Sequence, residues 1–246
     1  MSAARQVAVI TGGSQGLGRA LALVLAGRGW DLALAARTME TLTAAGREAA
    51  SLSGKEPLLV ACDVSREEDA MRLAQAVEER FGRADVLVNN AGVGDYRPMG
   101  EMEPAAMRRH FEVNVFGAWY LIKAMLPLLE QGGRGYVLNV GSVFGRIALA
   151  GTSAYAASKA ALARLCQGLG KELKDTGVRV GLFEPGPMAT NFQDGREQGA
   201  VSAPRALTLD PQRAAHAMAA MIRSRCKRRA VPWWMPALLR FKAALG

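Results

Sequence analysis

Apolar residues in this chain fall into short unbroken runs separated by longer stretches of helical periodicity. The runs are Gln6–Thr11, Asp31–Ala36, Pro57–Cys62, Asp85–Val88, Arg134–Val140 and Val178–Phe183. None alternates apolar with polar positions. A strand apolar on both faces is buried on both, as in a parallel sheet covered by helices. The intervening patterns predict helices over Arg19–Arg28, Thr38–Leu52, Arg66–Phe81, Pro104–Glu130 and Thr152–Lys174. A further helix is expected over Pro211–Arg223, with proline suited to its first turn, and a last strand over Arg228–Pro232. Strand–helix alternation of this kind predicts the α/β class: one doubly wound Rossmann-type parallel sheet of about seven strands, helices on both faces. No internal repeat or linker interrupts it, so residues 1–246 are expected to be one domain. The irregular Gly/Ala/Ser-bearing stretch at about 188–209 is expected to be a lid, and 233–246 an apolar tail with basic residues inside it.

Polar and glycine-bearing motifs sit where these runs end. The first strand runs into Gly12-Gly13-Ser14-Gln15-Gly16-Leu17-Gly18 and then a helix. Glycines there permit a tight turn and close backbone approach, and the helix start behind them offers N–H groups to a pyrophosphate. The second run ends in Ala36-Arg37. An acidic residue at this point binds a ribose 2′-OH in dinucleotide-binding folds, whereas an arginine suits a 2′-phosphate, so Arg37 predicts NADP over NAD. A solvated helix-start arginine is the alternative. Asp63 closes the third run and is suited either to an adenine amino group or to capping the next helix, as is Ser65. Asn89-Asn90-Ala91-Gly92 gives the fourth run a polar end at which a ribose could dock. The fifth ends in Gly141-Ser142, and the sixth in Glu184-Pro185-Gly186-Pro187-Met188-Ala189-Thr190. In such sheets ligands lie outside the carboxyl ends of the strands, which is where all of these fall.

Tyr155 and Lys159 stand four residues apart in a helical segment, hence one turn apart on one face. An ammonium so placed would favour the phenolate and pull the Tyr155 pKa below its reference of about 10, giving a proton donor and acceptor usable near neutral pH. Asn114, inside the otherwise apolar stretch Phe111–Gly117, needs a partner because an unpaired buried amide is costly; it is either structural glue or part of a site.

Composition narrows the field. Half the residues are apolar and 22% are charged, enough for a sizeable core. Cys62, Cys166 and Cys226 are scattered and odd in number, which reads as reduced intracellular thiols, and the expected location is cytoplasmic. His110 and His216 lack partners at ligand spacing, so no metal site is expected. The N-terminus has no apolar signal segment, and no run approaches the roughly 20 residues of a membrane span. The net charge of +9 is spread along the chain apart from Arg223–Arg229, without any nucleic-acid-binding motif. Attraction of anionic ligands, or of an anionic membrane surface, accounts for it equally well.

Thr11-Gly-x-x-x-Gly-x-Gly18, Asn89-Asn-Ala-Gly92, Ser142, Tyr155-x-x-x-Lys159 and Pro185-Gly186 with Thr190, in this order and spacing, resemble the short-chain dehydrogenase/reductases over nearly the whole chain. The resemblance implies a tetrad of Asn114, Ser142, Tyr155 and Lys159. Tyr155 would protonate a carbonyl oxygen, or act as base in reverse. Lys159 would lower its pKa and bind the nicotinamide ribose, Ser142 would hold the substrate oxygen, and Asn114 would order a relay water. It also implies NADP(H) held by Gly12, Ser14, Gln15, Gly16, Leu17, Gly18, Arg37, Asp63, Val64, Asn90, Ala91, Gly92, Tyr155, Lys159, Pro185, Gly186, Met188 and Thr190. A homodimer or homotetramer follows from the resemblance, through the helices bearing Asn114 and Tyr155. The Trp233-Trp-Met-Pro tail replaces the Val-Asp-Gly-Gly type ending of many members, including 3-oxoacyl-carrier-protein reductases, which weighs against a fatty-acid-synthesis reductase and toward lipophilic carbonyls. The expected function is NADPH-dependent reduction of a ketone or aldehyde to an alcohol, or the reverse. The alternatives are an NADP-binding sensor with vestigial catalysis, and a weak membrane-surface contact through the tail.

Overall fold

The computed structural model describes residues 5–147, 149–188 and 208–235. Among these, seven strands form one parallel sheet: β1 (Val7–Thr11), β2 (Asp31–Ala36), β3 (Leu58–Ala61), β4 (Val86–Asn89), β5 (Tyr136–Val140), β6 (Arg179–Pro185) and β7 (Arg228–Val231). Their spatial order is β3-β2-β1-β4-β5-β6-β7. The order reverses between β1 and β4, where Ala8, Val9 and Ile10 pair with Val86, Leu87 and Val88. At such a reversal the connections leave in opposite directions and open a crevice at the strands' carboxyl ends.

Unbroken apolar strands are explained by two cores. Along β1 the side chains of Ala8 and Ile10 join α1 (Gly16–Ala26), α2 (Met39–Ser53) and α7 (Pro211–Ser224) on one face. Val9 faces the other way, toward α3 (Glu67–Phe81), α5 (Gly117–Gln131) and α6 (Ser153–Glu172). Alternate positions along a strand face opposite layers, and here both layers are dry. Helix ends follow local chemistry. Gly54 and Gly82, both at φ +69°, close α2 and α3 in the left-handed conformation that glycine tolerates. Asp210 accepts the Gln212 N–H at 3.0 Å to cap α7, with Pro211 in its first turn.

One expected element is divided. The helix anticipated over Pro104–Glu130 is α4 (Pro104–Phe111), a π-helical turn over Glu112–Phe116, and then α5. Asn114 lies in the widened turn. Gly117, next after it, packs so closely that a Cβ would lie 2.8 Å from the carbonyl oxygen of Val64. Periodicity alone could not show the extra residue, because both flanking helices keep their own apolar faces.

Gly181 of β6 lies under the fully buried ring of Tyr136, whose hydroxyl donates to the carbonyl of Cys226 at 2.7 Å. A Cβ at Gly181 would fall 2.0 Å from that hydroxyl oxygen and 2.8 Å from the carbonyl oxygen of Cys226. Gly181→Ala is therefore expected to destabilise the fold by about 2–3 kcal/mol, the cost of overpacking a dry core. A urea midpoint equal to that of the parent would contradict this.

Candidate active site

The crevice at the β1/β4 reversal is held together by a few polar side chains and by missing Cβ atoms. Thr11 Oγ1 accepts the N–H groups of Asn90 and Ala91, each at 3.2 Å, and donates to Val88 O at 3.3 Å. The Asn90 amide donates to the carbonyls of Thr11 at 2.9 Å and Gly12 at 3.2 Å. Gly12 and Gly16 have φ of +63° and +55°. A Cβ on Gly18 would lie 2.2 Å from Gly12 O and 2.5 Å from Asn90 Nδ2. Asn90, in the segment where a ribose could dock, gives both amide N–H groups to the loop and still lines the cleft. The N-cap position of α1, Gln15, makes no side-chain cap, which leaves the first-turn N–H groups open to an anionic ligand.

A cleft of about 1220 Å³ runs from this loop across the sheet edge. Gly12, Ser14, Gln15, Gly16, Leu17, Arg37, Asp63, Val64, Asn90, Ala91, Gly92, Ser142, Tyr155, Lys159, Pro185, Gly186 and Met188 all line it. Gly18 stands behind the wall, where its missing side chain permits the close approach. Thr190 and most of the expected lid lie outside the described residues, as does the tail beyond Met235. An extended dinucleotide fits this shape: an N–H-lined turn at the middle, a cationic end at Arg37, and hydroxyls with an ammonium at the other end. Asp63 accepts the N–H and Oγ–H of Ser65 at 3.0 and 2.7 Å. Burial alone would raise its carboxyl, but these bonds and the charges of Arg37 and Arg109 hold it below the usual carboxylate range.

At the far end, Ser142 begins a short 3₁₀ turn and its Oγ accepts the Phe144 N–H at 3.2 Å. Tyr155 and Lys159 project from the first turns of α6, both buried. Burial pushes the Tyr155 phenol up to about 12, against the hydrogen bonds of Ser142 and Tyr96, which act to lower it. Burial also pushes Lys159 down to about 8. The expectation that Lys159 pulls the Tyr155 pKa down is thus corrected for the ligand-free chain. The ammonium stands 5.8 Å from the Tyr155 ring centre and donates to Val140 O at 2.9 Å. Desolvation outweighs a charge at that remove.

Asn114 is brought beside the same site, with both N–H groups of its amide used. Its Oδ1 accepts the Val93 N–H at 2.9 Å, and its Nδ2 donates to Val93 O at 2.9 Å and Ser158 Oγ at 3.0 Å. It locks the β4–α4 loop onto α6.

Two contacts could not be read from the sequence. Glu184, 1% exposed at the end of β6, accepts two hydrogen bonds from Arg228, at 2.6 and 2.7 Å, and is forked by Arg146 as well. The two arginines hold its carboxyl below the usual range despite burial. The trio ties β7 and the turn after Ser142 to the strand that leads into Pro185-Gly186. Tyr96 makes the second, from a half-buried ring in the β4–α4 loop whose hydroxyl bonds to that of Tyr155. A glutamate in an apolar run was the only sequence signal for the first; the second falls in Val93–Arg97, a stretch whose place after β4 marks it for the substrate pocket, but its bond to Tyr155 leaves no sign in the chain.

Comparison with known proteins agrees with this geometry. The short chain dehydrogenase family model matches residues 6–200. A 3-oxoacyl-[acyl-carrier-protein] reductase of Bos taurus is 34% identical over 187 residues, 76% of this chain and 77% of that one. Carbonyl reductase family member 4 of Danio rerio is 34% identical over 222 residues, covering 89% of this chain and 92% of its own length. Among solved structures, an alcohol dehydrogenase from Thermococcus sibiricus complexed with 5-hydroxy-NADP superimposes with a TM-score of 0.84 at 30% identity, covering 92% of this chain and 96% of that one. The chain belongs to the short-chain dehydrogenase/reductase family. It is accordingly an NAD(P)-dependent oxidoreductase by family.

Replacing Glu184 by Gln keeps the volume but leaves two guanidinium groups facing a neutral amide. A loss of about 2–4 kcal/mol is expected, the cost of removing one partner from a buried pair, moderated because both arginines reach water. The depressed carboxyl contributes stability that is complete above the usual carboxylate range and lost as pH falls through its own lower range. The gap between parent and Glu184→Gln in urea unfolding should therefore narrow on acidification; a gap independent of pH would refute the ion-pair account.

Proposed function

We propose that this chain is an NADPH-dependent carbonyl reductase acting on a lipophilic ketone or aldehyde, or on the corresponding alcohol in reverse. The observation that carries the proposal is the convergence of Ser142, Tyr155 and Lys159 at one end of a cleft whose other end is cationic at Arg37. The cofactor supplies the hydride, leaving the protein to orient the substrate and deliver one proton. Ser142 Oγ donates a hydrogen bond to the substrate oxygen. Tyr155 Oη gives that oxygen its proton as charge develops on it, and Lys159 stabilises the phenolate left behind. For Lys159 to do so its ammonium must shift some of its bonding from Val140 O toward a bound ribose and Tyr155. Asn114 keeps the loop in register with α6, and Asp63 with Val64 borders the adenine end. Pro185, Gly186, Met188 and Thr190 are assigned to the nicotinamide side. Exposed Phe116 and Trp119, flanking Tyr120 at the start of α5, support assembly into a homodimer or homotetramer. Trp233, 83% exposed, supports a weak contact of the tail with a membrane surface. The cytoplasm is the compartment consistent with three free cysteines. A cofactor-binding sensor with vestigial catalysis is the second reading, and tight NADPH binding without turnover of any carbonyl would favour it.

Tyr155→Phe should lower turnover of an accepted ketone by at least about 10²–10⁴-fold, the usual worth of a general acid, with NADPH affinity retained. Full activity in that variant would remove Tyr155 from the mechanism. Arg37→Ala should weaken NADPH binding by about 10–100-fold, the worth of a charge-assisted hydrogen bond, while leaving NADH binding unchanged. Fluorescence titration of both cofactors decides this: equal losses for the two would sink the assignment of Arg37 to a 2′-phosphate.

A further inference from the structure

Tyr155 has an aromatic neighbourhood that the proposed chemistry does not require. The Tyr96 ring meets it edge-on, with centres 5.3 Å apart and planes at 89°. Phe144 stands 6.4 Å from both rings. The Tyr96 and Tyr155 hydroxyls are hydrogen-bonded to each other; once Tyr155 is a phenolate it can only accept, so Tyr96 is then the donor. Tyr96 and Phe144 both line the cleft beside Ser142.

Resting on the reductase assignment above, we propose that Tyr96 is a positioning residue for the reaction: its phenol hydrogen-bonds the Tyr155 oxygen and holds that oxygen's charge after proton transfer, while its ring and that of Phe144 wall the carbonyl subsite. In the ligand-free site the Tyr155 oxygen has two hydroxyl neighbours, Ser142 and Tyr96. When a carbonyl enters, Ser142 turns its O–H to the substrate and Tyr155 spends its own proton there. Of these two hydroxyls, that of Tyr96 is then left to donate to the phenolate. A hydrogen bond to a charged oxygen inside a dry site is worth more than one to a neutral oxygen, so the contact strengthens as the proton leaves. Tyr96 itself transfers nothing. Its burial keeps it protonated and therefore a donor throughout the working range.

The loop that carries Tyr96 is fixed from α4. His110 is 1% exposed, its Nδ1 on Ala106 O at 2.8 Å and its Nε2 accepting the Asp95 N–H at 3.0 Å. That pattern requires a neutral ring protonated at Nδ1, and burial lowers the His110 pKa to match. The His110 ring also stands 6.4 Å from Tyr155. Among the described residues, the charged group recorded against Tyr155 is Lys159 on its own helix, and on the Tyr96 loop Asp95 and Arg97 bond each other at 2.8 Å. None of them is a second hydroxyl donor, so the effect of Tyr96 is separable.

Tyr96→Phe keeps the ring and deletes the hydroxyl. In alcohol oxidation, kcat/KM rises with pH as Tyr155 deprotonates. In the variant that limb should move up by about one pH unit, a tenfold loss on its rising part, as expected for one hydrogen bond to a charged acceptor. KM and NADPH affinity should stay within about twofold, since the wall is intact. Independently of turnover, tyrosine labelled at the ring carbon bearing oxygen gives four resonances for NMR, one for each tyrosine. The Tyr155 signal, identified as the one lost in Tyr155→Phe, should shift in Tyr96→Phe in the presence of NADP⁺ and ionise at higher pH. Turnover with both the limb and this signal unmoved overturns the role of Tyr96 and leaves the reductase assignment standing. The signal shifted, but with no carbonyl reduced by either protein, overturns the reductase assignment and leaves the contact established.

Discussion

The approach of α1 to the end of β1, with no side chain between them, is the constraint on which the cleft depends. Gly18 sits where any Cβ would strike the Gly12 carbonyl oxygen at 2.2 Å. That contact lets the first turn of α1 present its backbone N–H groups across the loop rather than stand back from it. Asn90 completes the joint by donating to both Thr11 and Gly12 from the neighbouring strand. The glycine-bearing loop after β1, the β1/β4 crevice and the start of the Asn89–Gly92 segment are therefore one packed object. Disturbing it would move the floor of the site as a unit, because a close-packed interior has no slack to absorb a displaced methyl group.

Electrostatics at the other end of the cleft follow from dryness. The same burial that raises Tyr155 lowers Lys159, moving each toward its neutral form. A site in that state is poised but not yet tuned. Donors aimed at the phenol oxygen, from Ser142 and Tyr96, oppose the burial, and a bound dinucleotide would change the partners of Lys159. Proton chemistry here rests on several modest contacts converging on one oxygen, more than on the single Tyr–Lys pair that first attracts the eye.

Around this centre the polar groups that never touch a ligand act as fasteners. Glu184, with Arg146 and Arg228, joins β6, β7 and the turn after Ser142. Asn114, with Val93 and Ser158, joins the β4–α4 loop to α6. His110 fixes the backbone one residue before Tyr96. Each is a buried polar side chain with its partners satisfied, the arrangement that gives a buried network its rigidity.

Strand and helix order, the fold class and the two ends of the cleft were determined by the sequence, because unbroken apolar runs, helical periodicity and glycine turns are local signals. Its motifs also located Ser142, Tyr155, Lys159 and Arg37 at strand and helix ends that share one edge of the sheet. The tertiary structure decided what depends on distance and on water. It showed the amide N–H groups of Asn90 and Asn114 clamping neighbouring loops, and it widened a helix at Glu112–Phe116. It also reversed the expected direction of the Tyr155 shift. Partners such as Glu184 and Arg228, 44 residues apart, or Tyr96 and Tyr155, leave no periodic mark in the chain. Only folding brings them to within a hydrogen bond, and only burial gives that bond its weight.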